Sequence, residues 1–179
     1  MRSSPAPTPE PISVGPGPRY RPPALSRPVA QGAAIGGLRC RSSGRERLLA
    51  HLEIFARRRV VAIPSGIGVA PPLRREGAYV RGGRCVYPVR TREPTGLLEL
   101  DAGGPIHLGD LFAIWGQPLS TTRLAGFTAP SGHRVSAFVA GRPWRGDPRA
   151  IPLTRHAVVV LEVGGFVAPH RSYRFPALA

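Results

Sequence analysis

Five histidines, ten carboxylates and two cysteines are the residues whose types could do chemistry in this 179-residue chain. His51, His107, His133, His156 and His170 all lie more than four residues apart, so no local metal-ligating motif exists. His51 and Glu53 share a strand face at i, i+2. They form half of a metal site or of an acid–base pair if a further partner converges on them, and an ordinary polar strand face if none does. Glu99 and Asp101 repeat that spacing and could form a carboxylate pair, although a solvated edge strand is the expected setting. His107 reads as a helix-boundary residue, and Asp110 sits where a negative charge favours the helix dipole. His133, His156 and His170 fall in or beside loops. Ser65, Ser120, Thr121 and Thr122 have no neighbouring base. Gly66-Ile-Gly68 and Gly103-Gly104 do not continue into a phosphate-binding loop, and no G-x-G-x-x-G, Walker or G-x-S-x-G pattern occurs. Without a nucleophile, base and orienter set, the chain is expected to be non-enzymatic. Cys40 and Cys85 belong to no C-x-x-C unit, and a zinc site would need two more ligands at sensible spacing. They can pair as a disulfide in an oxidising compartment, where closing the loop stabilises by on the order of 4 kcal/mol. In a reducing cytoplasm they would be buried thiols.

The net charge is +15 and all 25 basic residues are arginine, with no lysine or asparagine anywhere. A genome rich in G and C accounts for both absences, and it weakens the step from charge to partner. The arginines are spread through the chain, densest at Arg57-Arg58-Arg59, Arg74-Arg75 and Arg142 with Arg145. Binding to nucleic acid or an anionic surface is therefore an alternative and not the first expectation, because no nucleic-acid fold signature or interleaved aromatic pattern accompanies the charge. No apolar run approaches the ~20 residues of a membrane-spanning helix. The N-terminal Met-Arg-Ser-Ser-Pro-Ala-Pro carries no hydrophobic signal-peptide core.

The elements that must position these residues are mostly strands. Residues 1–34 hold nine prolines and only isolated apolar residues, so a disordered Pro/Arg-rich tail or linker is expected there. Residues 35–176 are expected to form one small domain, α+β or mainly β, of short antiparallel strands with one helix. Residues 48–56 alternate as a strand, Arg57-Arg58 form a hairpin tip, and 60–63 return. The Gly- and Pro-rich segment 64–72 is an ordered loop. Ala78-Tyr-Val and Cys85-Val-Tyr flank Gly82-Gly83 as a second hairpin. Leu97–Leu100 is a short strand, and 134–140 and 157–163 are the clearest ones, with turns at Gly141-Arg142 and Asp147-Pro148. The helix falls at about 108–115. Leu108, Leu111, Phe112 and Trp115 make one apolar stripe, stopped by Gly116 and Pro118.

One ordered set of motifs carries a resemblance. Ile35-Gly-Gly-Leu-Arg-Cys40, Ala50-His-Leu-Glu-Ile-Phe55, Ile63-Pro-Ser-Gly-Ile-Gly-Val69 and Cys85-Val-Tyr87 come first. Leu108-Gly-Asp-Leu-Phe-Ala-Ile-Trp-Gly-Gln-Pro-Leu119, Phe138–Leu153 and Val159-Val-Leu-Glu-Val-Gly164 follow. Together they resemble an uncharacterised family of bacterial proteins over roughly residues 35–176; singly each motif is weak. The resemblance implies an envelope-associated, extracytoplasmic domain, often behind a signal peptide or anchor and a low-complexity linker, with no known activity. The family pattern has a His-x-His-x-His-Leu run on the first strand and a Leu-His-Thr-His-Asp run after the Cys-x-Tyr, which implies a copper or zinc site. Here the first run aligns with Arg47, Leu49 and His51, and the second with Val89-Arg-Thr-Arg-Glu93. Arginine offers no lone pair to a metal. A degenerate metal-binding protein with His51 as the residual ligand, and Cys40 and Cys85 as further candidates, is thus one alternative, and no resident cofactor is the first expectation. Arg90 and Arg92, on one strand face beside His51, could instead hold an anion.

Overall fold

In chain order the strands are β1 (Arg47–Ala56), β2 (Arg59–Val60), β3 (Arg74–Glu76), β4 (Tyr79–Gly82), β5 (Val89–Arg90), β6 (Leu97–Asp101), β7 (Arg123–Leu124), β8 (Phe127–Thr128), β9 (Ser136–Val139), β10 (Arg142–Pro143) and β11 (Val158–Val163). Helix α1 (Leu108–Trp115) lies between β6 and β7, and a 3-10 turn at Pro148–Ala150 lies between β10 and β11. The computed structural model describes residues 21–22, 29–42, 44 and 46–177. The tail expected over residues 1–34 therefore lies largely outside the described residues. Its last part is folded against the domain: Ala30 is buried, and the Gly32 N–H donates to the Tyr87 hydroxyl at 3.0 Å.

Seven strands form one sheet in the order β10-β9-β11-β1-β6-β5, with β2 paired to the end of β1; β3–β4 and β7–β8 are separate two-stranded ribbons. The result is a mainly-β single domain with one short helix, as the periodicity implies. The expectation of antiparallel strands fails at the centre of the sheet. There β1 and β11 run parallel, from His51↔Val158 to Ala56↔Val163. All six residues of β11 are buried. A strand covered on both faces reads as a continuous apolar run, and Val158-Val-Val-Leu161 is one. Nothing in such a run reports which distant strand it joins or in which direction.

Side chains alternate across this sheet. One face carries Ala50, Leu52, Ile54, Leu98, Leu100, Val159, Leu161 and Val163, all in the main core cluster. Against it packs α1, which buries Leu108, Leu111, Phe112, Ile114 and Trp115. At its start the His107 N–H donates to the Asp110 carboxylate at 2.8 Å, and at its end Gly116 takes the left-handed conformation at φ 73°. Each satisfies or redirects backbone groups that the helix ends leave open.

Two turns differ from the expected ones. Gly82-Gly83 does not join a hairpin; β4 pairs back onto β3, and Val86 bridges Arg41 and Val69 instead. A Cβ at Gly83 would sit 2.1 Å from the Ala70 carbonyl oxygen, so this glycine serves a close backbone approach. The turn after β9 is Ala140-Gly141, both left-handed at φ 49° and 73°, so Arg142 and Pro143 pair with Val139 and Phe138. This is one residue earlier than Gly141-Arg142. Asp147 caps the 3-10 turn by accepting from the Arg149 N–H at 2.9 Å.

Candidate functional site

The other face of the sheet gathers the ionisable residues. β1 pairs with β6 as Arg47↔Asp101, Leu49↔Glu99 and His51↔Leu97, and β5 pairs with β6 as Arg90↔Glu99. Directly opposed residues point the same way, so Arg47, His51, Glu53, Arg90, Glu99 and Asp101 share one face. Glu99 and Asp101 are not on a solvated edge: β6 lies between β1 and β5, and both side chains are buried.

Their partners are arginines. Arg90 is only 1% exposed; its Nε donates to Glu99 at 2.9 Å, and its Nη1 to Asp101 at 2.7 Å and to the Tyr87 carbonyl at 3.0 Å. Arg92 Nε donates to the same Glu99 oxygen at 3.1 Å, while its Nη1 reaches the Val80 and Arg81 carbonyls. Arg47 stands 3.5 Å from the other Glu99 oxygen. Burial alone would push the Glu99 carboxyl up. The charges of Arg92 and Arg90, with their hydrogen bonds, outweigh it and hold the group below the ordinary glutamate range. The candidate anion-binding pair thus already faces internal anions, and an external anion would have to displace buried carboxylates that make charge-assisted bonds.

His51 and Glu53 do acquire a converging element. Residues 164–177 return along this face as an irregular strap. His170 Nδ1 lies 2.8 and 2.9 Å from the two Glu53 oxygens. The Tyr173 ring stacks on His51 with centroids 3.7 Å apart, Phe175 stacks on His156 at 4.5 Å, and Tyr173 meets Phe175 edge-on at 5.0 Å. His51 Nε2 lies 3.1 Å from the Thr95 carbonyl, which assigns the proton to Nε2. Its Nδ1 is buried without a hydrogen-bond partner, 4.0 Å from Glu53. Burial lowers the His51 pKa despite the opposing pull of Glu53 and the Thr95 carbonyl, so the ring is neutral near pH 7. Burial, then Glu93 and Glu53, pushes Tyr173 up to about 12. Further along, Glu162 is buried with one long bond from the Val167 N–H at 3.3 Å, and burial raises its pKa.

This arrangement supplies buried charge pairs and a shielded imidazole. Neither ring nitrogen of His51 hydrogen-bonds a hydroxyl or thiol among the described residues: Nε2 meets the Thr95 carbonyl and Nδ1 has no partner. Among the described residues, no three His, Cys, Asp or Glu side chains are grouped so as to hold a metal ion. Cys40 and Cys85 are joined as a disulfide with Cα atoms 5.5 Å apart, tying the segment before β1 to the loop before β5. His107 and Asp110 serve the helix start, and His133 contacts its own turn at Ser131. The strap is the part that sequence reading missed. The alternation in Arg171-Ser-Tyr-Arg-Phe175 was a usable signal, because every second residue could face a sheet. A groove of about 730 Å³ by the helix, lined by Ile63, Ile67, Leu73, Ile114 and Trp115, has no acid or histidine among the described residues of its wall. No helix among the described residues is long and apolar enough to cross a membrane. No family model, curated protein or solved structure matches the chain.

Proposed function

We propose that this chain is a non-enzymatic binding domain that works outside the cytoplasm, and that its polar sheet face is an internally neutralised part of the core instead of an open catalytic or ligand site. The carrying observation is the arginine–carboxylate cluster: Arg90 and Arg92 are committed to Glu99, Asp101 and three backbone carbonyls. The Cys40–Cys85 bond supports the oxidising compartment that the resemblance implies. Buffered titration with zinc, copper(II), phosphate and sulfate tests the reading. It expects no stoichiometric, saturable binding that Arg90, Arg92 or His51 substitutions remove.

The second reading is residual copper or zinc binding, favoured by one observation. The unpartnered Nδ1 of His51 stands 4.0 Å from Glu53; His170, which holds that carboxylate, would have to turn from it for the three to group around an ion. Metal retained by the wild type and lost together in His51→Ala and His170→Ala variants would put this reading first.

A further inference from the structure

The turn between β1 and β2 is made by Arg57 and Arg58, both left-handed at φ 50° and 64°. Hairpins usually give these positions to Asn-Gly, because positive φ strains most residues that carry a Cβ. This chain places two guanidiniums on the tip despite that strain. The turn is pinned to the end of β11 by the Arg57 N–H, which donates to the Val163 carbonyl at 2.8 Å. Gly164 and Gly165 then pass under the arginine stems. A Cβ on Gly165 would lie 2.9 Å from Arg58 Cγ, and one on Gly164 would lie 3.4 Å from Arg57 Cγ.

The next residue is Phe166, 66% exposed, its ring edge-on to Phe138 at 6.3 Å. Val60, 42% exposed, stands across from Phe55 on the same hairpin. Neither Arg57 nor Arg58 makes an ion pair among the described residues, whereas the arginines of the polar face are paired. Beside the turn, towards β7–β8, lies an open depression of about 770 Å³ lined by both arginines, Phe127, Thr128 and Pro130.

Unpaired cations around exposed aliphatic and aromatic side chains match the layer of a bilayer where phosphates meet acyl chains. A nucleic-acid platform would present rings for stacking; here one of the two exposed apolar residues is a valine, which cannot stack a base. We propose that this end of the sheet docks on an anionic phospholipid surface. Arg57 and Arg58 lie at the phosphates, and Phe166 and Val60 enter the interfacial layer. This names a partner for the binding reading above and rests on it, while metal and anion titration tests that reading separately.

The test is co-sedimentation of the full chain with phosphatidylcholine vesicles, with and without phosphatidylglycerol. It is run on wild type, on Arg57→Asn/Arg58→Gly, and on Phe166→Ser. The double variant suits the turn geometry and keeps the fold, which circular dichroism checks. The expected result is binding that needs phosphatidylglycerol and weakens with salt. It falls roughly 30-fold in the double variant, about fivefold for each arginine, because a surface arginine contributes about 1 kcal/mol and tenfold corresponds to about 1.4 kcal/mol. Phe166→Ser loses several-fold. Equal binding to both vesicle types, or a double variant that binds like wild type, overturns the proposal. So does tight binding of a single-stranded oligonucleotide with none to vesicles.

Discussion

Replacing Glu99 by glutamine removes one charge from the centre of the polar face and almost no volume. In the wild type this carboxylate accepts from Arg90 at 2.9 Å and Arg92 at 3.1 Å, with Arg47 at 3.5 Å. At an effective dielectric constant of about 20, opposite charges about 4 Å apart attract by about 4 kcal/mol. Glutamine keeps an acceptor oxygen, and Arg90 keeps Asp101, so part of that is retained. Arg90, however, is 1% exposed and cannot turn to water. Breaking one side of such a buried pair costs about 3–5 kcal/mol, and about 3 kcal/mol is expected here. Urea unfolding followed by the fluorescence of buried Trp115 measures it. The loss is also pH-dependent. The folded-state pKa of Glu99 is lowered, so its contribution is full above the unfolded value of about 4.3 and disappears as pH falls through the folded value. The gap between wild type and variant is therefore constant from pH 7 to about 5 and closes below that. The quadruple replacement Arg90→Met/Arg92→Met/Glu99→Leu/Asp101→Val should recover most of that loss, because both buried guanidiniums leave with their carboxylates and the remaining partner, Arg47, is more than a third exposed. A Glu99→Gln variant within about 0.5 kcal/mol of wild type at pH 7, or a gap that persists unchanged at pH 3, would refute the argument.

Other outcomes follow from the same geometry. Cys40→Ala/Cys85→Ala should lose on the order of 4 kcal/mol in urea unfolding, and reduced wild type should behave like it. Gly68→Ala should cost about 1–3 kcal/mol or more, because its Cβ would meet the Val89 carbonyl oxygen at 2.1 Å with φ at +73°. Glu162→Gln should act oppositely to Glu99→Gln. The raised pKa of Glu162 means wild-type stability grows as pH falls from the folded value towards the unfolded one, so the variant is the more stable at pH 7 and loses that slope. Ultraviolet titration should find one tyrosine ionising near 12 that disappears in Tyr173→Phe. The unfolded chain loses that proton first, so Tyr173 weakens folding as pH rises above about 10.

Local order was legible in the sequence where one element carries its own signal. The stripe Leu108, Leu111, Phe112 and Trp115 with Gly116 behind it gives the helix bounds, which the structure places at Leu108–Trp115. The alternation of 48–56 gives β1, and Arg57-Arg58 gives its turn. Pairing between distant segments was not legible. The parallel union of β1 with β11 and the internal position of β6 depend on contacts that leave no local period. For the same reason Glu99 and Asp101 read as solvated, since only the pairing of β5 with β6 reveals that Arg90 lies between them. The i, i+2 spacing of His51 and Glu53 showed a shared face, but the ring above it comes from Tyr173, beyond every strand. Arg90 and Arg92 stand at i, i+2, a spacing that the sequence alone shows as one strand face. Their role as partners of Glu99 needed the three-dimensional register.

The most direct test of the central claim is elemental analysis of untagged, disulfide-intact protein after equilibration with copper and zinc and removal of the free ions. An internally neutralised polar face predicts no stoichiometric metal in wild type or in the His51→Ala variant. One equivalent retained by wild type and lost on His51→Ala would contradict it and make this face a metal site.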